Sequence, residues 1–264
     1  MAGNSAEAGR TVLSRCFAIL DCFGPETPEL TLAAISQRTG LSSSTAHRLL
    51  GELTGWGGLV RDTETGKYTV GRRLWKIGSA APQERQLRDV AMPYMEDLLE
   101  ATHHIVHLAI VHEGRVLYLE KLAARGAPEV QTGVGRTLPI HATAPGRVIT
   151  AFSPLEVFEQ VLSGDLTAQT PATLTDPREL RRSFAAIRQT GYCVSRDEMI
   201  FGKSAVAAPI RDRAGIVIAA LSVVVPSTTP SLQALVAPVR LACLGISRDL
   251  GHRPRPTAGT RPSR

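Results

Sequence analysis

Apolar residues recur with helical spacing through the first part of the chain and gather into strand-like runs only beyond residue 100. In "RTVLSRCFAILDCF" (10–23), Val12, Leu13, Cys16, Ile19, Leu20 and Phe23 share one helical face, which predicts an amphipathic helix with that stripe turned inward. "GPETPE" then breaks the chain. "TLAAISQRTGLSSSTAHRLLGEL" (31–53) reads as two short amphipathic helices. Leu32, Ile35 and Thr39 point inward on the first, and Ala46, Leu49, Leu50 and Leu53 on the second. Thr31 and Ser42 are suited to cap these helices, Gly40 to the left-handed turn between them, and Leu41 to the corner. Gly51, inside the second helix, costs about 1 kcal/mol relative to alanine. Extended runs at 59–61 and 67–70, joined by "DTETG", predict a hairpin.

Residues 72–102 return to helical spacing, with Pro82 as the break between two helices. Leu87, Val90, Ala91, Tyr94, Leu98 and Leu99 form the stripe of the second. "HIVHLAIVHEGRVLYLEKL" predicts two strands turning at Glu113 and Gly114. Helices follow in "TAPGRVITAF", "PLEVFEQVL" and "DPRELRRSFAAIRQTG", and strands near 192–195, 204–211 and 216–225. A helix over 232–250 closes the pattern. Strands grouped with helices in this way predict an α+β domain on a largely antiparallel sheet.

Three helices followed by a small hairpin outline a winged helix-turn-helix. At the start of its third helix the exposed side chains are Ser43, Ser44, Thr45, His47 and Arg48. These hydroxyls, imidazole and guanidinium can donate to phosphates or read base edges, and the helix dipole favours phosphate. Lys67 and Tyr68 on the hairpin are candidates to reach a neighbouring DNA backbone or minor groove. By itself the helix pair also fits an ordinary structural hairpin with a solvated polar face. The preceding helix and the following wing favour the DNA reading.

Composition supports this without deciding it. The 264 residues, 43% hydrophobic, suffice for one sizeable core and a smaller module. A formal net charge of +6 favours an anionic partner. No apolar run is long enough to span a bilayer, and "MAGNSAEAGR" lacks the layout of a signal peptide. Cys16, Cys22, Cys193 and Cys243 are scattered within apolar patterns, so buried, reduced thiols in a cytoplasmic protein are expected. Five segments result: a disordered 1–9, a winged helix-turn-helix over 10–71, a linker helix over 72–84, an α+β domain over 85–250, and a basic disordered tail over 251–264. The tail carries arginines and prolines but no acids, which gives it at most a weak, salt-dependent pull on phosphate.

Catalytic and metal chemistry find little support. Cys193 lies on a β-run with no histidine nearby in sequence and reads as a structural thiol. His141 opens a loop without a visible catalytic partner. In "THHIVHLAIVHEG" a strand would place His103 and His107 on one face and His104 and His112 on the other, a spacing poor for metal ligation. Asp197 and Glu198 are adjacent and point apart on a strand, which disfavours paired acid–base work. Neither a cofactor nor a metal is expected.

"VLSRCFAILDCF", "LTLAAISQRTGLSSSTAHRLL", "KYTVGRRLWKIGS", "LPIHATAPGRVITAF", "IRQTGYCVSRDE" and "GKSAVAAPI" resemble, in order, blocks of the IclR family of bacterial transcriptional regulators. The resemblance runs from about Arg10 to Leu250. It implies a winged helix-turn-helix, a linker helix and a GAF-like effector-binding domain, assembled as dimers or tetramers on double-stranded operator DNA. It further implies a repressor controlled by a small organic effector. The effector walls carried over are Thr143, Ala144, Pro145 and Gly146, then Ser195, Ala205, Ser222 and Val224.

The family usually has aspartate at Ser195, cysteine at Ala205, often serine at Val224, and lysine at Arg147; Pro145 is a further departure. Fewer polar partners in the strands predict an effector larger or more apolar than a two- or three-carbon acid, with an aromatic acid as one form. The alternative is a domain that has lost its ligand and serves only oligomerisation.

Overall fold

The computed structural model describes residues 11–124 and 132–253, so the expectations for 1–9 and for the tail beyond 253 lie outside the described residues. The chain divides into two units, Met1–Arg85 and Gln86–Arg264.

In the first unit, α1 (Val12–Leu20), α2 (Leu32–Thr39) and α3 (Ser43–Gly55) are each opened by a hydroxyl. Thr11, Thr31 and Ser42 accept hydrogen bonds from the backbone N–H groups of Ser14, Ala34 and Thr45. Each such cap contributes about 1 kcal/mol. Gly40 turns the chain between α2 and α3 at φ 69°, a left-handed conformation that an L side chain adopts only with strain. Ile19, Ile35, Leu49 and Leu50 are at most 1% exposed and meet Leu30, Leu41, Leu53, Leu59 and Tyr68 in one cluster. Each fully buried aliphatic side chain contributes roughly 1.5–3 kcal/mol.

Two features differ from the pattern-based expectation. Val12 and Leu13 are 55% and 61% exposed, so only the second half of the α1 stripe reaches the core. Periodicity identifies a shared face but not what covers it. Secondly, "GPETPE" leads into a short strand, β1 (Glu29–Leu30). It pairs antiparallel with β3 (Tyr68–Val70), which also pairs with β2 (Leu59–Arg61), giving a wing of order β1-β3-β2.

Gly51 is exposed on α3, and a Cβ built there meets no atom within 4 Å. Gly51→Ala should therefore stabilise this unit by up to about 1 kcal/mol. A higher denaturation midpoint with unchanged secondary structure is the expected readout.

α4 (Arg72–Gly78) and α5 (Pro82–Thr102) flank the expected break, with Pro82 as the first residue of α5, where its missing N–H is harmless. The second unit is built on a six-stranded antiparallel sheet. Its strands are β4 (Ile105–His112), β5 (Arg115–Leu122), β6 (Thr137–Pro139), β7 (Cys193–Arg196), β8 (Lys203–Arg211) and β9 (Val217–Pro226), in the order β6-β5-β4-β9-β8-β7. Edge strand β6 has no counterpart in the sequence pattern, because three residues carry no readable alternation.

Alternation assigns the two faces. Val106, Leu108, Val206, Ala208, Leu221 and Val223 pack against Leu87, Ala91 and Met95 of α5 and against Val239, Cys243 and Ile246 of α9 (Val236–Asp249). A short 3-10 turn, Leu232–Leu235, precedes α9, where the spacing predicts one continuous helix. On the other face, Ala207 and Ala220 receive α6 (Ala144–Ala151), with α7 (Leu155–Ser163) and α8 (Pro177–Thr190) outside it. Gly146 sits where α6 lies closest: a Cβ there would fall 2.6 Å from Val116 and 2.7 Å from the Ile140 carbonyl oxygen. α6 does not cover the whole face, and the uncovered part forms a cleft.

Candidate functional site

The polar start of α3 is the first candidate surface. Its inward residues Ala46, Leu49 and Leu50 anchor the helix, which leaves Ser43, Ser44, His47 and Arg48 exposed and Thr45 half-buried. Ser42 Oγ caps the Thr45 N–H and also donates to Thr45 Oγ1 at 2.9 Å. Thr45 is thus part of the helix start as well as of the exposed edge. The exposed Arg48 guanidinium adds its charge to the positive end of the α3 helix dipole, an arrangement that attracts phosphate.

The wing departs from expectation at both of its candidate residues. Tyr68 is only 4% exposed and belongs to the core cluster of the first unit, so it is corrected from a DNA-contacting to a structural residue. The reason is alternation: on β3 the Tyr68 ring faces the helices. Lys67 is half-buried and forms an ion pair with Glu29 of β1, the strand absent from the sequence reading. Arg61 of β2 is exposed, lies 5.8 Å from the centre of the Tyr68 ring, and is not among the sequence candidates. As the charged end of a short extended run, it was detectable there.

The second candidate is the cleft on the α6 side of the large sheet, enclosing about 460 Å³ of space partly open to solvent. Register builds its floor. Ser195, Ala205 and Val224 lie side by side on β7, β8 and β9, and Ala207, Ser222 and His107 form the adjoining row. Thr143, Ala144 and Pro145 at the start of α6 close one wall. Among the carried-over effector residues only Gly146 does not line the cleft, because its role is the close packing of α6. Thr143 does not cap α6; its hydroxyl donates to the Pro139 carbonyl at 3.1 Å, which leaves first-turn N–H groups without a side-chain acceptor.

Sequence reasoning missed the remaining walls. Lys203 lines the cleft and forms no ion pair among the described residues. It lies two positions before Ala205 on β8, so strand alternation would have placed it on the same face. Met199 and Ile200 come from the turn after β7, Leu138 from β6, and Tyr118 and Thr132 from the far side. Their signal is purely tertiary. The strands alone suggest a cleft stripped of polar groups, whereas Lys203, Ser204, Thr132 and Tyr118 restore several.

Asp197 and Glu198 diverge as expected, though on a turn rather than a strand, with Asp197 at φ 55°. Asp197 Oδ1 accepts from the Gly202 N–H and from the Ser227 hydroxyl. Glu198 Oε1 accepts from Arg147 Nη2 at 2.8 Å inside the unit. Arg147, only 2% exposed, is not among the residues that line the cleft, so its side chain serves this pair rather than the effector wall.

Cys193 and Cys243 are buried, and burial pushes both thiols up, to about 12 for Cys243. Cys16 and Cys22 are only half-buried, a partial correction, since α1 is covered on one side. His141 is a core residue whose Nε2 lies 3.1 Å from the Thr167 carbonyl oxygen. His103 precedes β4 at φ 57°, off the strand that would align it with His107. No cluster of three or more potential metal-ligating side chains occurs among the described residues. No helix among them is long and apolar enough to cross a membrane.

The helix-turn-helix model of the IclR family matches residues 12–63, and the model of the C-terminal domain of bacterial IclR transcriptional regulators matches residues 79–248. The chain belongs to the IclR family. It is a DNA-binding transcriptional regulator, with its helix-turn-helix in the first unit. The IclR regulator XynR of Escherichia coli K12 is 33% identical over 247 residues, covering 91% of this chain and 97% of XynR. The Pca regulon regulatory protein of Pseudomonas putida is 31% identical, covering 92% of this chain and 84% of its own. An IclR homologue of Microbacterium hydrocarbonoxydans, solved in complex with 4-hydroxybenzoate, is 35% identical with a TM-score of 0.86, covering 91% of this chain and 99% of that one. Ser195, Ala205 and Val224, the positions where the sequence reading expects departures from the family pattern, fall on one contiguous strip of the cleft floor.

Proposed function

We propose that the chain is an operator-binding repressor released by an aromatic carboxylate held in the cleft of the second unit. The observation that carries this reading is the pairing within one cleft of Lys203 and the uncapped start of α6 with the apolar strip of Ala205 and Val224. An ammonium and helix N–H groups suit a carboxylate, and a flat apolar strip suits a ring. The 35% identical homologue bound to 4-hydroxybenzoate supports the same class of ligand.

On DNA, α3 would act as the recognition helix, with Ser43, Ser44, His47 and Arg48 toward the groove. Lys67 and Arg61 would supply the charge of the wing. A homodimer would set two such helices about 34 Å apart on a near-palindromic site. The uncovered Val12, Leu13 and Phe17 of α1 support self-association, since an apolar helix face left in water calls for a partner. The effector can shift DNA affinity by no more than its own preference between the DNA-competent and released states.

Calorimetric titration with benzoate and 4-hydroxybenzoate, against glyoxylate and pyruvate, tests the effector class. Lys203→Met should weaken the aromatic acids roughly tenfold or more, because a charge-assisted hydrogen bond is worth about 1.5–3 kcal/mol. Tight binding of glyoxylate or pyruvate alone would refute the aromatic reading. Failure of every small acid to raise the melting temperature would favour a domain used only for oligomerisation.

A further inference from the structure

His107 lies in the middle of the large sheet, between Lys121 of β5 and Ser222 of β9, and is fully buried. Its ring meets the Tyr118 ring edge-on, with centroids 5.0 Å apart. Burial, aided by the charge of Lys121, lowers its pKa to about 3, so the imidazole is neutral under ordinary conditions. Nε2 lies 2.8 Å from the hydroxyl of Thr132, while Nδ1 has no hydrogen-bond partner among the described residues.

A neutral imidazole carries one N–H, and a buried donor is left unpaired more rarely than a buried acceptor. The proton therefore belongs on Nε2, which donates to Thr132 Oγ1. The hydroxyl hydrogen of Thr132 is then available to another acceptor, and Thr132 lines the cleft. So does Tyr118, whose hydroxyl makes no hydrogen bond among the described residues and which burial keeps protonated by raising its pKa. Two neutral hydroxyls thus converge on the β5 side. Lys203 stands on β8, three strand spacings away in the order β5-β4-β9-β8 and six residues further along, since Tyr118 is level with Ala109, Ala220 and Pro209 while Lys203 faces Pro226, roughly 25 Å between backbones. The long Lys203 and Tyr118 side chains reaching inward from both strands shorten that span toward the length of one substituted ring with a hydrogen bond at each end.

We infer that Thr132, held by His107 and accompanied by Tyr118, forms a subsite that reads a ring hydroxyl opposite the carboxylate, so that a para-hydroxylated benzoate is preferred over the unsubstituted acid. This rests on the reading of the effector as an aromatic carboxylate. Thr132 and Tyr118 would be the contacting residues, and His107 a positioning residue that acts through Thr132. Leaving a buried polar group unpaired is what makes such a subsite discriminate.

The test is calorimetric titration of the full chain with 4-hydroxybenzoate and with benzoate. The unsubstituted chain should bind 4-hydroxybenzoate about tenfold more tightly or better. Thr132→Val should bring the ratio to within about twofold, and Thr132→Ser should restore it, a reversal that general loss of structure would not produce. His107→Phe should lower the ratio in the same direction, since Thr132 then loses the partner that holds its hydroxyl. Equal affinities in the unsubstituted chain, or a ratio unchanged in Thr132→Val, would overturn the subsite and leave the aromatic-acid reading standing. Binding of neither acid would overturn both.

Discussion

Glu198→Ala should destabilise the second unit by roughly 3–5 kcal/mol, a loss readable as a lower midpoint of urea or thermal unfolding. Glu198 and Arg147 are side chains 10% and 3% exposed, joined at 2.8 Å. Arg147 Nη1 also lies 3.3 Å from Ser183 Oγ on α8, whereas Arg147 Nε and Glu198 Oε2 have no hydrogen-bond partner among the described residues. Burial opposes the charge on Arg147, but Cys193 and Glu198 beside it more than offset this and raise its pKa. Burial also pushes up the Cys193 thiol, so the counter-charge comes from Glu198. Without that carboxylate an unpaired guanidinium stays in the interior.

Replacing both partners with apolar residues of similar volume, as in Arg147→Met with Glu198→Leu, should recover most of the loss, because no charge is then stranded. A double variant no better than Glu198→Ala would count against the pair as the cause. The effect should extend to ligand binding. The Glu198 carbonyl accepts from Thr173 Oγ1 at 2.6 Å and the Asp197 carbonyl from Thr170 Oγ1 at 2.6 Å, which ties down the turn that brings Met199 and Ile200 to the cleft.

Arg48→Ala should weaken operator binding by about 1–3 kcal/mol, or roughly five- to 150-fold, without lowering stability. Arg48 is exposed and one residue before the buried Leu49, so its removal leaves the core of the first unit intact. Fluorescence anisotropy across a salt series distinguishes two roles for the guanidinium. If it binds a phosphate, the substitution should reduce the salt slope by about one. If it binds a base edge, the substitution should relax sequence preference with little change in slope. Tyr68→Phe, which alters a core residue, should leave operator affinity unchanged. Lys67→Ala should have a smaller effect than Arg48→Ala, since Glu29 already opposes the Lys67 charge. Undiminished binding by Arg48→Ala would remove this residue from the recognition surface.

The contrast between Arg48 and Tyr68 shows which parts of the site were legible in the sequence. On α3 the buried positions recur every three or four residues and leave their complement exposed, so the polar edge follows from the pattern. The three-residue strand β3 has too few positions to say which side is covered, so the pattern does not reveal that the Tyr68 ring turns inward. Val12 and Leu13 illustrate the converse. Their shared face is written in the spacing, but its exposure within the unit depends on how far α2 and α3 extend beneath it.

Local pattern is enough to specify most of the elements, their order, the caps at Thr31 and Ser42, and the family to which the chain belongs. These depend on periodicity, on hydroxyls next to helix starts, and on blocks of residues that keep their order. Folding in three dimensions was needed to establish that Lys67 meets Glu29, that Arg147 turns inward to Glu198, and that Thr132 and Tyr118 share a cleft with Lys203. Each of these links residues far apart in the chain, through strand pairing or through packing across a sheet. Spacing along the chain can say which residues lie on the same face. It cannot say which distant strand lies alongside, because that choice is made by the burial of whole faces at once.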